Sequence, residues 1–219
     1  MTLFFLPQRR TAFLICLGAI ALAVALIFSP GANAKLFDGP VDKLPVLERA
    51  ALRQGKVTLA GEKGKYTARI LVEASRDAAW QVLTDYDRFE NFLPDVDSSR
   101  LLKAEGDRKV FEQISTVKTF VFSTEARVRM AVTEFYPQQI DFKAIGGDLK
   151  TLNGSWQLEP VSPYPSAPPD SVLITHQVSV IPASSPANSF FYGIYEDRLK
   201  KSLAAIKSET EKRYAHAQK

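Results

Sequence analysis

The sequence has few of the side chains from which metal centres and nucleophilic active sites are built. It contains one cysteine, Cys16, and two histidines, His176 and His216. A single cysteine cannot form an intramolecular disulfide. Two histidines, one of them in a polar tail, provide neither a histidine-based metal cluster nor a cysteine–histidine pair. We therefore predict no metal site and no cofactor.

The sequence also has little excess charge. The 219 residues include 28 basic and 24 acidic side chains, a net charge of +4. Arg9 and Arg10 are the only charged side chains before Lys35, so the remainder has 26 basic and 24 acidic residues, a net charge of +2. Nucleic-acid-binding domains usually have a dense basic stripe, so we expect no nucleic-acid partner. The length favours one sizeable domain, and we expect a monomer.

The N-terminal segment is typical of an export signal. Arg9 and Arg10 precede an unbroken apolar run of 17 residues, 12–28, and Ala-Asn-Ala follows at residues 32–34. A charged region, an apolar region and a small-residue cleavage site make a secretory signal peptide. We predict a signal peptide over residues 1–34 and an extracytoplasmic domain, in the periplasm or an equivalent lumen. The run is close to the shortest membrane span, so an uncleaved anchor at residues 12–28 is the alternative.

Downstream, the apolar residues alternate as in half-buried strands. From Phe122 to Val132 the even positions are mostly apolar, and charged residues stand between them. Alternation of this kind predicts further strands over residues 56–61, 66–73, 100–104, 109–117, 139–144, 150–159 and 171–181. Five prolines in residues 160–171 indicate a loop before the last strand.

Helical spacing occurs in only two regions of the domain. In the first, Ser75 can cap a helix that buries Trp80 and Leu83, and a second short helix passes through Phe89. The second region is C-terminal, where Ser185 and Pro186 can begin a long helix. Apolar residues recur along it every three or four positions, and residues 207–219 are polar, so we expect that end to fray into solvent.

Carboxylates are concentrated around the two short helices. Paired carboxylates can perform acid–base chemistry when burial or repulsion separates their pKa values. Asp85, Asp87 and Asp95 occupy positions where short side chains cap or end helices. We therefore interpret the segment as a structural lid with Trp80, Leu83, Phe89, Phe92 and Leu93 directed inward. A catalytic acid pair is the alternative. The acidic side chains are Asp85, Asp87, Glu90, Asp95 and Asp97.

Three segments resemble the START-like SRPBCC superfamily: ILVEASRDAAWQVLTDYDRFENFLPDVDSSRLL (70–102), IDFKAIGGDLKTLNGSWQLEP (140–160) and LKKSLAAIKSETEKR (199–213). Within it they are similar to the branch of coenzyme Q-binding START domains, polyketide cyclases and lipid-transport proteins. The resemblance covers residues 50–213 and implies an α+β helix-grip fold. In this fold a curved antiparallel sheet wraps around a long C-terminal helix, and two short helices follow an early strand. A linker at 35–49 and a polar tail at 214–219 complete the predicted organisation.

The fold class suggests a function, because the apolar faces of a curved sheet and of the helix that packs on it can be in contact at one edge of the sheet and separate at the other. A hydrophobic cavity can remain between them. We predict that the domain binds a hydrophobic small molecule, and the resemblance implies an isoprenoid quinone, a lipid or a polyketide-like compound. Strand parity and helix phase select seven ligand-binding candidates, which can equally be ordinary core residues: Met130, Phe142, Trp156, His176, Phe190, Ile194 and Leu199.

Other functions stay open at this point. His176 shares the inward parity of its strand, and it can be a hydrogen-bonded core residue, a contact to a ligand head group or a catalytic base. A cyclase or hydrolase-like enzyme would use His176 or a tyrosine to move protons. A third alternative is a membrane-associated assembly factor whose last helix contacts acidic lipid or a partner. The basic residues that would make this contact are Lys200, Lys201, Lys207, Lys212 and Arg213.

The signal-peptide prediction can be tested directly. Cleavage after Ala34 should leave Lys35 as the first residue of the mature protein, because Ala-Asn-Ala has the small side chains that such cleavage sites require. N-terminal sequencing of protein from an extracytoplasmic fraction measures this. Recovery of Met1 on a membrane-bound form would show instead that residues 12–28 act as an anchor.

Overall fold

Eight antiparallel strands form a single curved sheet in the computed structural model, which describes residues 39–118, 123–183 and 188–219. The predicted signal peptide and the predicted helix start at Ser185 and Pro186 lie outside these residues. The spatial order is β1-β2-β8-β7-β6-β5-β4-β3. The strands are β1 (Thr58–Glu62), β2 (Lys65–Val72), β3 (Val96–Glu105), β4 (Arg108–Lys118), β5 (Ser123–Phe135), β6 (Gln139–Gly147), β7 (Leu149–Val161) and β8 (Ser171–Pro182).

Alternation of apolar residues explains how the sheet turns one face inward. In β2, Tyr66, Ala68, Ile70 and Val72 are buried, whereas the residues between them are more exposed. The same period of two makes one side of β5 face the interior. The strand predictions are confirmed with small shifts at the ends.

Strand β8 differs because it is buried on both faces. Val172 and Ile174 belong to the main core, while Leu173 points to the other side of the sheet and packs with Leu52 and Val161. Leu52 lies on α1 (Val46–Arg53). The continuous apolar character of β8 is therefore explained by a helix on the convex side.

The expectation of helices in only two regions is wrong, because it omits α1. This helix has eight residues and one buried apolar side chain, Leu52, whereas Val46 and Leu47 are exposed, so its apolar residues do not mark the buried face. Polar contacts to the sheet hold it in place. Glu48 Oε1 lies 2.7 Å from Arg69 Nη1 and accepts a hydrogen bond from Thr58 Oγ1 at 3.0 Å.

The other helices follow the prediction. Helix α2 (Arg76–Leu83) begins at Ser75, whose Oγ accepts a hydrogen bond from Ala78 N at 3.2 Å. A 3-10 helix (Tyr86–Asn91) follows it. The long C-terminal helix α3 spans Asn188–Ala217 and buries Leu203 against the sheet. No helix in the described ranges is long and apolar enough to cross a membrane.

The end of α3 does not fray as expected, because it packs on the sheet and on the lid. Thr210 is completely buried. Lys207 Nζ donates to the Leu71 carbonyl oxygen at 2.9 Å, and Arg213 Nη1 lies 2.7 Å from Asp85 Oδ2. Some polar side chains of this segment therefore have specific partners on the sheet and the lid, which sequence periodicity alone does not distinguish from solvated side chains.

Candidate functional site

A cavity of about 900 Å³ lies between the concave face of the sheet, α3 and the short helices. This size is typical of small-molecule sites. Burial along α3 explains the cavity. Leu203 and Ile206 are buried where the helix meets the sheet, whereas Phe191, Ile194 and Tyr195 nearer its start are only half-buried. The helix therefore leaves a space in front of β4 to β7 that its own side chains do not fill.

All seven residues selected from the sequence line this cavity. Leu199 is buried, Ile194 is half-buried and Phe190 is 54% exposed at the surface. Contact of each residue with a ligand remains a prediction. The remaining members of the set are Met130, Phe142, Trp156 and His176.

The lid residues divide into two groups. Leu83, Phe89 and Leu93 line the cavity as expected. Trp80 instead packs edge-on against Tyr136 with ring centroids 5.3 Å apart. Phe92 lies beneath the Arg213 guanidinium, 5.5 Å from its carbon. Both are nevertheless directed inward, because Trp80 is buried in the main core and Phe92 packs against it, although the described residues that line the cavity do not include them.

Sequence reasoning also missed several lining residues. Phe111 and Gln113 share a face of β4, and that parity could have identified both. Phe191 and Tyr195 are one turn apart on α3 and carry the same helical phase as Ile194. The sequence does not clearly predict that Tyr86 lines the cavity, because a 3-10 helix of six residues is too short for residue periodicity to identify its buried face.

Three rings form a platform on the inner face of the sheet. Trp156 and His176 are directly paired across β7 and β8, and their ring centroids are 3.7 Å apart at an interplanar angle of 25°. Phe142 stacks on the other side of His176 at 5.4 Å. Gly154 lies opposite Phe142 in the register, and a Cβ there would be 2.9 Å from the Phe142 ring and 2.0 Å from the Gln177 carbonyl oxygen. A glycine at this position therefore permits the close approach.

The His176 imidazole is neutral at ordinary pH. Burial lowers its pKa from 6.5 to about 3, and a hydrogen bond with the backbone of Ser155 opposes the shift only partly. Its Nδ1 is buried and has no hydrogen-bond partner among the described residues. A general base is most effective when its pKa is near the working pH, so His176 is poorly suited to that role. A neutral ring with an unpaired nitrogen is better suited to contact a polar atom of a ligand.

The tyrosines of the cavity are also poor proton carriers. Burial raises the pKa of Tyr86 far above its usual value, and the Glu134 carboxylate, which accepts a hydrogen bond from the Tyr86 hydroxyl at 2.8 Å, raises it further. Burial likewise raises the pKa of Tyr195. Both phenols stay protonated, so neither supplies a base in the absence of a large rearrangement.

The lid carboxylates bind neighbouring backbone and side chains. Asp87 Oδ1 accepts from Leu101 N at 2.6 Å, and Asp85 forms ion pairs with both Arg88 and Arg213. Glu90 Oε2 accepts from Ser99 N at 3.1 Å. These contacts fix the 3-10 helix to β3 and α3, which supports a structural role for the cluster.

Most of the basic residues proposed for membrane contact have acidic partners. Lys201 lies 2.7 Å from Asp197, and Lys212 lies 3.4 Å from Glu209. Lys207 pairs with Glu211. Local neutralisation of this kind weakens the attraction of the helix to an anionic surface.

Comparison with known proteins identifies the relatives of this domain. Residues 72–207 match the family described as polyketide cyclase / dehydrase and lipid transport. No curated protein matches the chain. The fit of a family profile to most of the domain confirms the START-like resemblance.

Solved structures share the helix-grip fold. A STAR-related lipid transfer protein from Xanthomonas axonopodis is 19% identical, with a TM-score of 0.57 over 70% of this chain and 98% of that one. The Zhui aromatase/cyclase from Streptomyces sp. R1128 is 16% identical, with a TM-score of 0.53 over 67% and 93%. A START superfamily protein from Mycobacterium smegmatis is 14% identical, with a TM-score of 0.52 over 69% and 97%. At these identities the likeness shows the fold alone, and it confirms the predicted fold class.

Added volume should distinguish the cavity from the packed part of the interior. Ile194→Trp places the larger ring in open space, so we expect the free energy of unfolding to change by less than about 1 kcal/mol. Leu203→Trp is the matched control. It forces the same ring into a filled core and should cost about 1–3 kcal/mol or more. Urea unfolding of both variants measures the difference, and equal destabilisation would contradict a cavity at Ile194.

The pH dependence of the free energy of unfolding should reveal the buried His176 imidazole. The unfolded state binds a proton at His176 below about pH 6.5, whereas the folded state does so only near pH 3. The free energy of unfolding should therefore fall as pH decreases through this window, by at most about 1.4 kcal/mol per pH unit from this residue. His176→Phe should remove that component, and the exposed His216→Phe should retain it. Urea unfolding at several pH values tests this, and identical slopes for both variants would exclude a buried neutral His176.

Proposed function

The chain belongs to the polyketide cyclase / dehydrase and lipid transport family, and on this premise we propose that it binds a hydrophobic small molecule in the cavity. The cavity itself carries the proposal, because a volume of about 900 Å³ lined mostly by apolar side chains has the size and character of a small-molecule site. Unfilled apolar space forfeits dispersion contacts and lowers stability. A ligand that fills this space recovers those contacts.

Desolvation would provide most of the binding free energy. At about 25 cal/mol per Å² of buried apolar surface, a ligand tail of a few hundred Å² contributes several kcal/mol before entropic costs. The ligand classes that fit are an isoprenoid quinone, a lipid and a polyketide-like compound. The Trp156 and His176 rings offer a flat surface for an aromatic or quinone ring.

Binding is favoured over catalysis by the protonation states in the cavity. His176 is neutral, and Tyr86 and Tyr195 are held protonated by burial. These groups can hydrogen-bond to a ligand without exchanging protons with it at ordinary pH. A proton-transfer enzyme in the same cavity would need a base with a pKa closer to neutrality.

We propose further that the domain acts outside the cytoplasm. The support is the pattern of residues 1–34, in which two arginines, an apolar run and Ala-Asn-Ala follow one another. An exported carrier of a membrane-soluble compound would protect its cargo from water between membrane surfaces. The sequence resemblance is the main support for a coenzyme Q-type ligand, and the flat surface of the Trp156 and His176 rings is compatible with it.

Fluorescence of Trp156 offers a direct test of ligand binding. Trp80 should first be replaced by Phe, because its emission would otherwise obscure the signal. Titration with a medium-length isoprenoid quinone should quench Trp156 saturably, since the indole lines the cavity. A second protein carries Ile194→Trp and Trp156→Phe in addition to Trp80→Phe, so that its single indole lies on α3. The same titration should quench this indole if the ligand lies between α3 and the sheet. If neither indole responds to any apolar ligand while the protein remains folded, the proposal fails.

A further inference from the structure

One wall of the cavity is more polar than the rest. Arg198 and Ser202 lie one turn apart on α3, and Gln113 and Ser115 lie on β4. Gln113 Nε2 donates to Ser115 Oγ at 3.0 Å, so the two strand side chains form a joined pair. Among the described lining residues, Arg198 is the only one with a permanent positive charge.

A series of contacts through Asp95 connects the strand that carries this pair to Arg198. Ser115 is the cross-strand partner of Val96, and the adjacent Thr116 N donates to the Asp95 carbonyl oxygen at 3.1 Å. The Asp95 carboxylate in turn lies 3.8 Å from Arg198 Nε. Helix α3, β4 and the turn before β3 therefore meet at one corner of the cavity.

Arg198 is incompletely paired at this corner. Its side chain is only 22% exposed, and a guanidinium has five N–H donors to satisfy. Its ionic contact within the described residues is to Asp95, at a distance too long for a hydrogen bond. Asp95 also interacts with Lys201 and is 43% exposed. A largely buried cation with one distant partner costs free energy, and an incoming anion would offset that cost.

On the premise that the cavity holds an amphipathic ligand, we propose that Arg198 binds an anionic head group of that ligand. A carboxylate and a phosphate share the required chemistry, because both accept two parallel hydrogen bonds from a guanidinium. Ser202 and the Gln113–Ser115 pair provide further polar groups for the head.

The apolar part of such a ligand has a defined direction. From β4 to β7 the sheet spans three strand spacings, about 14 Å. A tail that starts at the Gln113–Ser115 pair on β4 and runs across β5 and β6 would reach the strand of Trp156. This corner therefore favours an acidic amphiphile over a neutral quinone.

The proposal can be tested with three probes that share one alkyl chain: lauric acid, lauryl phosphate and lauryl alcohol. Their affinities are measured by Trp156 fluorescence in the Trp80→Phe protein. We expect the acidic probes to bind about tenfold more tightly than the alcohol. Arg198→Gln should remove this preference. Arg100→Gln, an exposed arginine on β3 that does not line the cavity, should retain it. Preference for only one acidic probe would identify the head group.

A second variant tests the same contact in the opposite direction. Asp95→Asn removes the carboxylate that competes with the ligand for Arg198, so it should increase the affinity for the acidic probes but not for lauryl alcohol. This increase in affinity tests the role of Arg198 even if Arg198→Gln does not fold, and its absence would contradict that role.

Two results would contradict the proposed binding of an anionic head group by Arg198. If the wild-type protein binds acid and alcohol equally, or if Arg198→Gln weakens all three probes alike, the proposed function survives and the role of Arg198 does not. If the folded protein binds none of the probes and no quinone, the proposed function fails, and the proposed role of Arg198 fails with it.

Discussion

A straight helix and a strongly curved sheet can touch along only part of their apolar faces. In this domain the contact is closed where Leu203 meets the core, and it is open where Ile194 faces the inner surface of the sheet. The short helices and the turn before β3 cover the open part. The cavity is thus a consequence of how the layers meet, and the rest of the structure serves to enclose it.

Enclosing such a space requires the covering elements to be fixed firmly, since each short helix buries little surface by itself. The carboxylates of the lid provide this attachment. Asp85 joins the lid to Arg213 at the end of α3, and Asp87 joins it to β3 through Leu101 N. The polar C-terminal end of α3 therefore holds the lid in place through the ion pair between Arg213 and Asp85.

The interior chemistry follows from desolvation. Burial holds His176 neutral and Tyr195 protonated, so the cavity presents hydrogen-bonding groups of fixed protonation on an apolar surface. We propose that such a surface orients a ligand and favours some head groups over others. Arg198 adds a cation to the lining of this surface.

Much of this arrangement could be predicted from residue periodicity and from resemblance. Parity along β5 to β8 placed Met130, Phe142, Trp156 and His176 on the inner face, and the phase of α3 placed Ile194 and Leu199 opposite them. Helix α1 escaped prediction because only Leu52 marks its buried side. Arg198 and the fixed end of α3 escaped because a polar side chain has the same sequence signature in solvent as beside a specific partner. The ligand lies beyond both kinds of reasoning, since a cavity specifies size and polarity but not a single compound.

Native mass spectrometry of the protein, purified gently from its source, tests the central claim most directly. The account predicts a population heavier than the polypeptide by the mass of a small amphipathic molecule, which organic extraction removes and re-addition of the extract restores. A folded protein that is always free of such a molecule, and that takes none up from the extract, would contradict it.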